Sequence, residues 1–337
     1  MCGAANLNPR HKGMATNADL YVINYLASFL DNTLELHREE NILVTNSSYS
    51  NGCNRGYTNI SVTVDDQCYD NTTLMHVFSA GNSGTLNCDY GAGDGWANIT
   101  GGHKMGKNVM TVGSSSNNGV IAFSSSRGPA TDGRIKPDIT AHGQSHTTTL
   151  PENRYTTTSG TSFSAPLVAG LMAMLHQAYR DNNSGATAEA ALLKALLLNT
   201  ANDYGNPGPD YTFGWGSANA YRAALALEEN RFSKHTISGG ELAEHIIPVP
   251  DNVQELKVMV YWKDPSANPM STLALVNDLN GNLTDPNGQT TEPWVLNPTP
   301  DPLTLDLPAT TGVDALNNME QMSVSNPEAG DLSLIHI

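Results

Sequence analysis

The stretch TTTSGTSFSAPLVAGLMAML, Thr156 to Leu175, is polar and rich in hydroxyls at its start and almost wholly apolar at its end. Ser162 stands at the changeover. A serine or threonine here has two uses: Thr161 or Ser162 caps the following helix, or Ser162 is presented as a nucleophile on a rigid support. Gly160 lets the backbone turn with no side chain in the way, and Pro166 falls in the first helical turn, where its missing N–H costs nothing. Leu167, Val168, Leu171, Met172, Met174 and Leu175 make the helix apolar around most of its surface, which places it in the core. A serine at the head of such a helix is held still, and the positive end of the helix dipole stabilises developing oxyanion charge. Taken alone, a serine ahead of an apolar helix is far more often a cap than a nucleophile; the chemistry open to it as a nucleophile is attack on a carbonyl.

The elements that must position this serine alternate. Asp19–Tyr25 (DLYVINY) reads as a short buried strand and Ser28–Arg38 as a helix through Phe29, Leu30, Leu34 and Leu36. Ile42–Thr45, Leu74–Ser79 and Val109–Gly113 are further strands. Thr187–Asn199, with Thr187 as N-cap, and Ala218–Asn230 are helices after the serine helix. The alternation predicts an α/β fold, a parallel sheet flanked by helices, with any site beyond the carboxyl ends of the strands. The loops TNSSYSNG and SAGNSG both follow strands and so fall at that edge. Asn82, in the second loop, reads by itself as a turn residue.

After about Phe232 the character changes. Leu256, Val258, Val260 and Trp262 alternate as in a half-buried strand, and turns such as DPSANP, DPNGQ and NPTPDP recur without a helical pattern. This predicts an α/β domain over 1–232 and an all-β sandwich or jelly roll over 233–337. The closing LSLIHI stops where another strand should begin, so this end is read as cut, and whether its last residues are native is left open.

The net charge of −16 disfavours nucleic acid and anionic membranes as partners, and no apolar run reaches the roughly eighteen residues of a membrane span. Of the four cysteines, Cys53, Cys68 and Cys88 lie in one loop-rich region, where one disulfide among them is expected in an oxidising compartment. No Cys/His clustering supports zinc. The opening MCGAANLNPRHKGMATNADLYV has no apolar h-region and reads as the middle of a longer protein.

GTSFSAP resembles the nucleophile signature of the subtilisin-like serine proteases, the subtilases, with Gly160, Thr161, Ser162, Ala165 and Pro166 at matching positions. SAGNSG is similar to that family's oxyanion segment, which implies that the Asn82 amide and the Ser162 N–H hold the tetrahedral intermediate. VTNSSYSNG resembles the substrate-binding strand. The resemblance implies that Ser48, Tyr49 and Ser50 run along the bound peptide, and that this strand and Ser79, Ala80 and Gly81 wall the S1 pocket. FSSSRGP, KPDITAHG and GWGSANAYRA match the family order, although His142 stands where the family usually has proline. VMVYWKDP and LALVNDLN resemble the jelly-roll domain of a calcium-binding alkaline branch.

The resemblance implies a secreted or cell-surface serine endopeptidase, monomeric, acting on polypeptides. No cofactor is required for its chemistry, and structural Ca²⁺ is expected near turns holding Asp264, Asp278, Asp285 and Asp301, with no ligand assigned. The family's catalytic Asp and His motifs are absent. The N-terminal stretch resembles the family's segment just downstream of that histidine, so both residues are expected upstream of Met1 and the chain is expected to be nearly inert. His11, His76, His103, His142 and His176 each read as packing or surface residues rather than replacements. A non-catalytic binding or adhesion protein on the same fold is the alternative reading. The nucleophile elbow of α/β-hydrolases is absent.

Overall fold

A computed structural model describes residues 1–3, 8–50, 52–53, 56–152 and 154–336. Its centre is a four-stranded parallel sheet of β1 (Val44–Ser47), β2 (Met75–Ser79), β3 (Met110–Ser115) and β4 (Ile139–His142), in that spatial order. β2 and β3 are buried along their whole length, as strands covered on both faces must be. Ser47, Ser79, Ser115 and His142 therefore end on one edge of the sheet, and the loops that leave this edge build the site.

Two helices precede or bridge the first strands, α1 (Phe29–Glu40) and α2 (Asn59–Asp70). Sequence periodicity does not reveal α2, because Ile60, Val62, Thr63 and Val64 favour a strand. Local capping and tertiary bonds override that preference. The Thr58 N–H donates to Ser61 Oγ at 3.0 Å, and Asp65, buried in the middle of the helix, accepts from the Tyr57 hydroxyl at 2.6 Å and from the Asn108 N–H at 2.8 Å.

The serine helix is α3 (Thr161–Asn182), 22 residues long. Ala165, Val168, Ala169, Met172 and Leu175 pack into one cluster with Met75, Val77, Met110, Val112 and Ile139 of the sheet. α4 (Ala190–Asn199) and α5 (Ala220–Glu228) add Leu193, Leu197, Ala223 and Leu227 to the same cluster. α4 begins later than Thr187 suggests, with Glu189 as cap, because the Ala190 N–H is already taken by the Thr72 carbonyl at 2.9 Å. Between β4 and α3 stands a hairpin of β5 (His146–Leu150) and β6 (Arg154–Thr158), a threonine-rich pair that the sequence pattern leaves unassigned.

One expected strand is not formed. Asp19–Tyr25 is irregular, with Leu20, Val22 and Tyr25 more than half exposed. An apolar run becomes a strand only where a neighbour takes up its N–H and C=O groups. β1 pairs with β2 alone, and no described residue offers Asp19–Tyr25 a register.

The remainder of the chain is antiparallel. β7 (Ala243–Val249), β8 (Glu255–Tyr261), β9 (Gly281–Thr284), β10 (Thr290–Thr291), β11 (Trp294–Val295), β12 (Thr310–Thr311), β13 (Met319–Ser325) and β14 (Gly330–His336) form sheets β10-β9-β14-β7, β13-β8 and β11-β12. A single turn of helix, α6 (Pro302–Leu305), is capped by Asp301. This β region is joined to the parallel sheet's flank through buried polar bonds. The Lys107 ammonium is ion-paired with Asp264, both fully buried, and it also donates to the Pro265 and Ala274 carbonyls at 2.6 Å. The Ile135 N–H donates to Asn317 Oδ1 at 2.9 Å, and Leu296, Leu305 and Met319 belong to the main core cluster.

Candidate active site

Ser162 lies in the first turn of α3, and the cap of that helix is neither Ser162 nor Thr161. Gly160 occupies the N-cap position and makes no side-chain bond. The cap comes from across the sheet edge: the Thr161 N–H donates to Asn82 Oδ1 at 2.9 Å, and the Thr161 hydroxyl donates to the same oxygen at 3.1 Å. Asn82 thus satisfies one of the orphan amides at the start of the helix. Oδ1 is thus engaged twice. Gly160, at φ 146°, permits this approach, since a Cβ there would sit 3.2 Å from Asn82 Nδ2.

Thr161 also accepts from the Gly81 N–H at 3.2 Å, and the Ser48 hydroxyl donates to the Ser162 carbonyl at 3.2 Å. The loops after β1 and β2 are in this way fastened to the head of α3. Between them lies a cleft of about 290 Å³ lined by Ser48, Tyr49, Ser50, Ser79, Gly81, Asn82, Ser83, Thr161 and Ser162. Seven of these nine positions are the ones singled out in the sequence. Ala80 is not among them: it is fully buried, with its N–H on Val112 and its carbonyl accepting from the Thr100 N–H at 3.0 Å. Thr161 and Ser83 are the lining residues that sequence reasoning missed. Thr161 lay inside the GTS motif, while for Ser83 the signal was only its place beside Asn82.

Behind the Gly81 wall stands Thr100, whose hydroxyl would lie 2.3 Å from a Cβ at position 81. Thr100 Oγ1 accepts from Lys104 Nζ at 2.8 Å, and burial pulls this lysine down to about 7. The Tyr49 ring packs on Tyr25, Phe29 and His103 at 4.4, 5.6 and 4.8 Å. Cys53 and Cys88 form a disulfide that links the segment after Ser50 to the loop after Asn82. Cys68 is free and buried, its thiol pushed up to about 12 by desolvation.

No histidine hydrogen-bonds Ser162 among the described residues. His76 is held by Thr45 and Gln67 inside the sheet, and burial lowers it to about 4. His103 and His176 are buried and lowered, again by desolvation first, to about 3 and about 4. Such rings stay neutral and serve as packing. Among the described residues no group of three or more His, Cys, Asp or Glu side chains is arranged to hold a metal ion. Asp264 is committed to Lys107, and Asp301 to capping α6 through the Thr304 N–H.

Ser162, in the first turn of a buried helix, and Asn82, which caps that helix, thus line one cleft. The sequence profile of the subtilase family matches residues 1–216, and the chain belongs to that family of serine peptidases. It is 27% identical over 189 residues to a serine protease/ABC transporter B family protein, tagA, of Dictyostelium discoideum, covering 45% of this chain and 11% of that protein. It is 43% identical over 79 residues to the C5a peptidase of Streptococcus pyogenes, covering 23% of this chain and 7% of that protein. The chain therefore spans only a small part of the length of these relatives. Among solved structures, the self-cleaved protease domain of PatA is similar at TM-score 0.48 and 22% identity, over 60% of this chain and 68% of that one. No described helix is long and apolar enough to cross a membrane.

Proposed function

We propose that this chain carries the nucleophile half of a serine endopeptidase. Ser162 Oγ attacks the scissile carbonyl of a polypeptide lying in the cleft between Ser48–Ser50 and Ser79–Gly81. The developing oxyanion is held by Asn82 Nδ2 and the Ser162 N–H. The serine proton passes to a base and then to the leaving amine as the C–N bond breaks, and water hydrolyses the acyl-serine. The base and its orienting carboxylate come from residues outside the 337, a reading supported by the lack of any histidine bonded to Ser162 among the described residues. The chain alone is accordingly close to inert. In subtilisin itself, loss of the serine or histidine costs about 10⁶ in kcat.

The observation that supports this reading is the capping of α3 by Asn82 Oδ1, which fixes the Asn82 side chain at the head of the helix, on the lining of the same cleft as Ser162. The Cys53–Cys88 disulfide and the acidic surface support a secreted or cell-surface location. The β region is read as a jelly-roll brace for the catalytic sheet, the protein as a monomer, and calcium as a structural ligand. Calorimetry with and without chelator tests the last: an unchanged melting temperature removes calcium.

A fluorophosphonate probe followed by peptide mapping tests the nucleophile. Slow labelling confined to Ser162, and lost in Ser162→Ala, is the expected result. Labelling that settles on other serines instead would remove the protease reading.

A further inference from the structure

The cleft occupies one side of Ser162, and the other side is built from different chemistry. Phe163, next along α3, does not line the cleft. Its ring lies at 13° to that of His146, with centroids 6.3 Å apart. His146 opens the β5–β6 hairpin, and the root of that hairpin is tied to the turn that presents the nucleophile. The Gly160 N–H donates to the Gly143 carbonyl at 2.8 Å, and the Ser145 N–H donates to Ser159 Oγ at 2.9 Å. His146 Nε2 donates to the His142 carbonyl at 2.9 Å, and the two imidazoles are 4.5 Å apart.

His142 ends β4 opposite Ser115, and Ser115 in turn bridges Ile121. Phe123, two residues on, is 80% exposed. Because Phe163 follows Ser162 outside the cleft and stacks on His146, the protease reading takes the leaving-group half of a peptide out past Phe163 and this pair of histidines. Resting on the protease reading above, we propose that His142 and His146 form a leaving-group-side subsite selective for an acidic side chain in the first or second residue after the scissile bond.

The chemistry of the pair supports a carboxylate. The bond to the His142 carbonyl fixes the neutral His146 proton on Nε2, which leaves Nδ1 to take the second proton. His142 Nδ1 is buried with no hydrogen-bond partner among the described residues. The neighbours of the pair on the adjoining elements are uncharged: Ser115 is the strand partner of His142 on β3, Thr158 that of His146 on β6, and Phe163 of α3 stacks on the His146 ring. The hairpin's own charges, Glu152 and Arg154, sit at its far tip and pair with each other at 3.7 Å. Burial, and then the neighbouring His146, hold His142 below the usual imidazole value. A carboxylate beside an imidazole favours its protonated form, so an acidic side chain seated here draws a proton into the subsite.

The test uses the full chain with Ser162→Ala and titrates matched hexapeptides with Phe before the intended scissile bond and Asp, Asn or Lys after it. At pH 6 the Asp peptide is expected to bind about 3–5-fold more tightly than the Asn peptide, the scale of a solvent-facing ion pair, with the Lys peptide weakest. By pH 8.5 the Asp preference disappears. Calorimetry in two buffers of different ionisation enthalpy shows proton uptake with the Asp peptide only. His146→Gln, at a half-buried position, and His142→Gln each bring the Asp/Asn ratio toward one in a chain whose melting curve shows it folded. Peptides that bind with equal affinity at both pH values overturn the subsite alone. Failure of every peptide to bind overturns the protease reading as well.

Discussion

Asn82 and Thr161, 79 residues apart, are joined twice: the Thr161 N–H and hydroxyl both donate to Asn82 Oδ1, which caps α3 and fixes the amide that, under the proposed function, meets the oxyanion. Asn82→Asp separates capping from donation. The carboxylate still accepts from Thr161 and gains from the helix dipole, so the melting temperature should hold or rise slightly. Its second oxygen cannot donate. In the enzyme with its base present, kcat should fall by at least the 10²–10³ known for loss of this type of donor in subtilisin itself, with KM nearly unchanged. Parallel melting and steady-state measurements check both halves.

The buried Lys107–Asp264 pair should be intolerant of half-removal. Lys107→Met leaves the Asp264 carboxylate in the interior with only the Val276 and Asn277 N–H groups. The expected cost is about 3–5 kcal/mol, read as a shift in the urea midpoint. Pairing it with Asp264→Leu should recover part of that loss, because the uncompensated charge is then gone. A double variant no more stable than Lys107→Met would contradict the pairing.

Glu320 makes stability fall as pH rises. Its carboxyl is buried on β13, accepts from the Gly281 N–H, and is raised by desolvation to about 8 from an ordinary 4.5. The folded state therefore holds a proton that the unfolded state has released between these values, and stability declines through that window as pH increases. Glu320→Gln imitates the protonated acid. Its melting temperature should exceed that of the unaltered chain by a margin that grows between pH 5 and 8, as thermal scans across that range will show.

Reduction of Cys53–Cys88 should loosen the cleft as well as the fold. The bridge closes a separation of 35 residues, for which chain entropy implies about 3–4 kcal/mol. It also joins the two wall segments beyond Ser50 and Asn82. A reductant should lower the melting temperature and weaken peptide binding together. Unchanged peptide affinity in a reduced, still folded chain would show that the walls hold without it.

The candidate site was legible because its parts are local. Gly160 to Pro166 and the apolar run behind them dictate a turn and a buried helix, and the loops around Ser48 and Asn82 each follow a strand. The features that escaped the sequence were long-range. α2 forms although its β-branched residues prefer strands, because Asp65 gathers bonds from Tyr57, Lys107 and Asn108. Lys107 and Lys194 look like surface residues until Asp264 and Asp138 are brought beside them. Asp19–Tyr25 has the composition of a strand and lacks only the neighbour that would make it one. The direction of the Asn82 amide depends on Thr161, and no spacing rule carries that.

The ammonium of Lys107 is neutralised by a residue 157 positions further along, in the part of the chain with no helix of more than one turn. Trimming a recombinant fragment after Phe232 would strip Lys107 of Asp264 and of the Pro265 and Ala274 carbonyls, and would bare the core face that Leu296, Leu305 and Met319 cover, so soluble expression of the front half alone should fail. Shuffling the β region for an unrelated fold meets the same obstacle, unless the newcomer brings a carboxylate to the same spot.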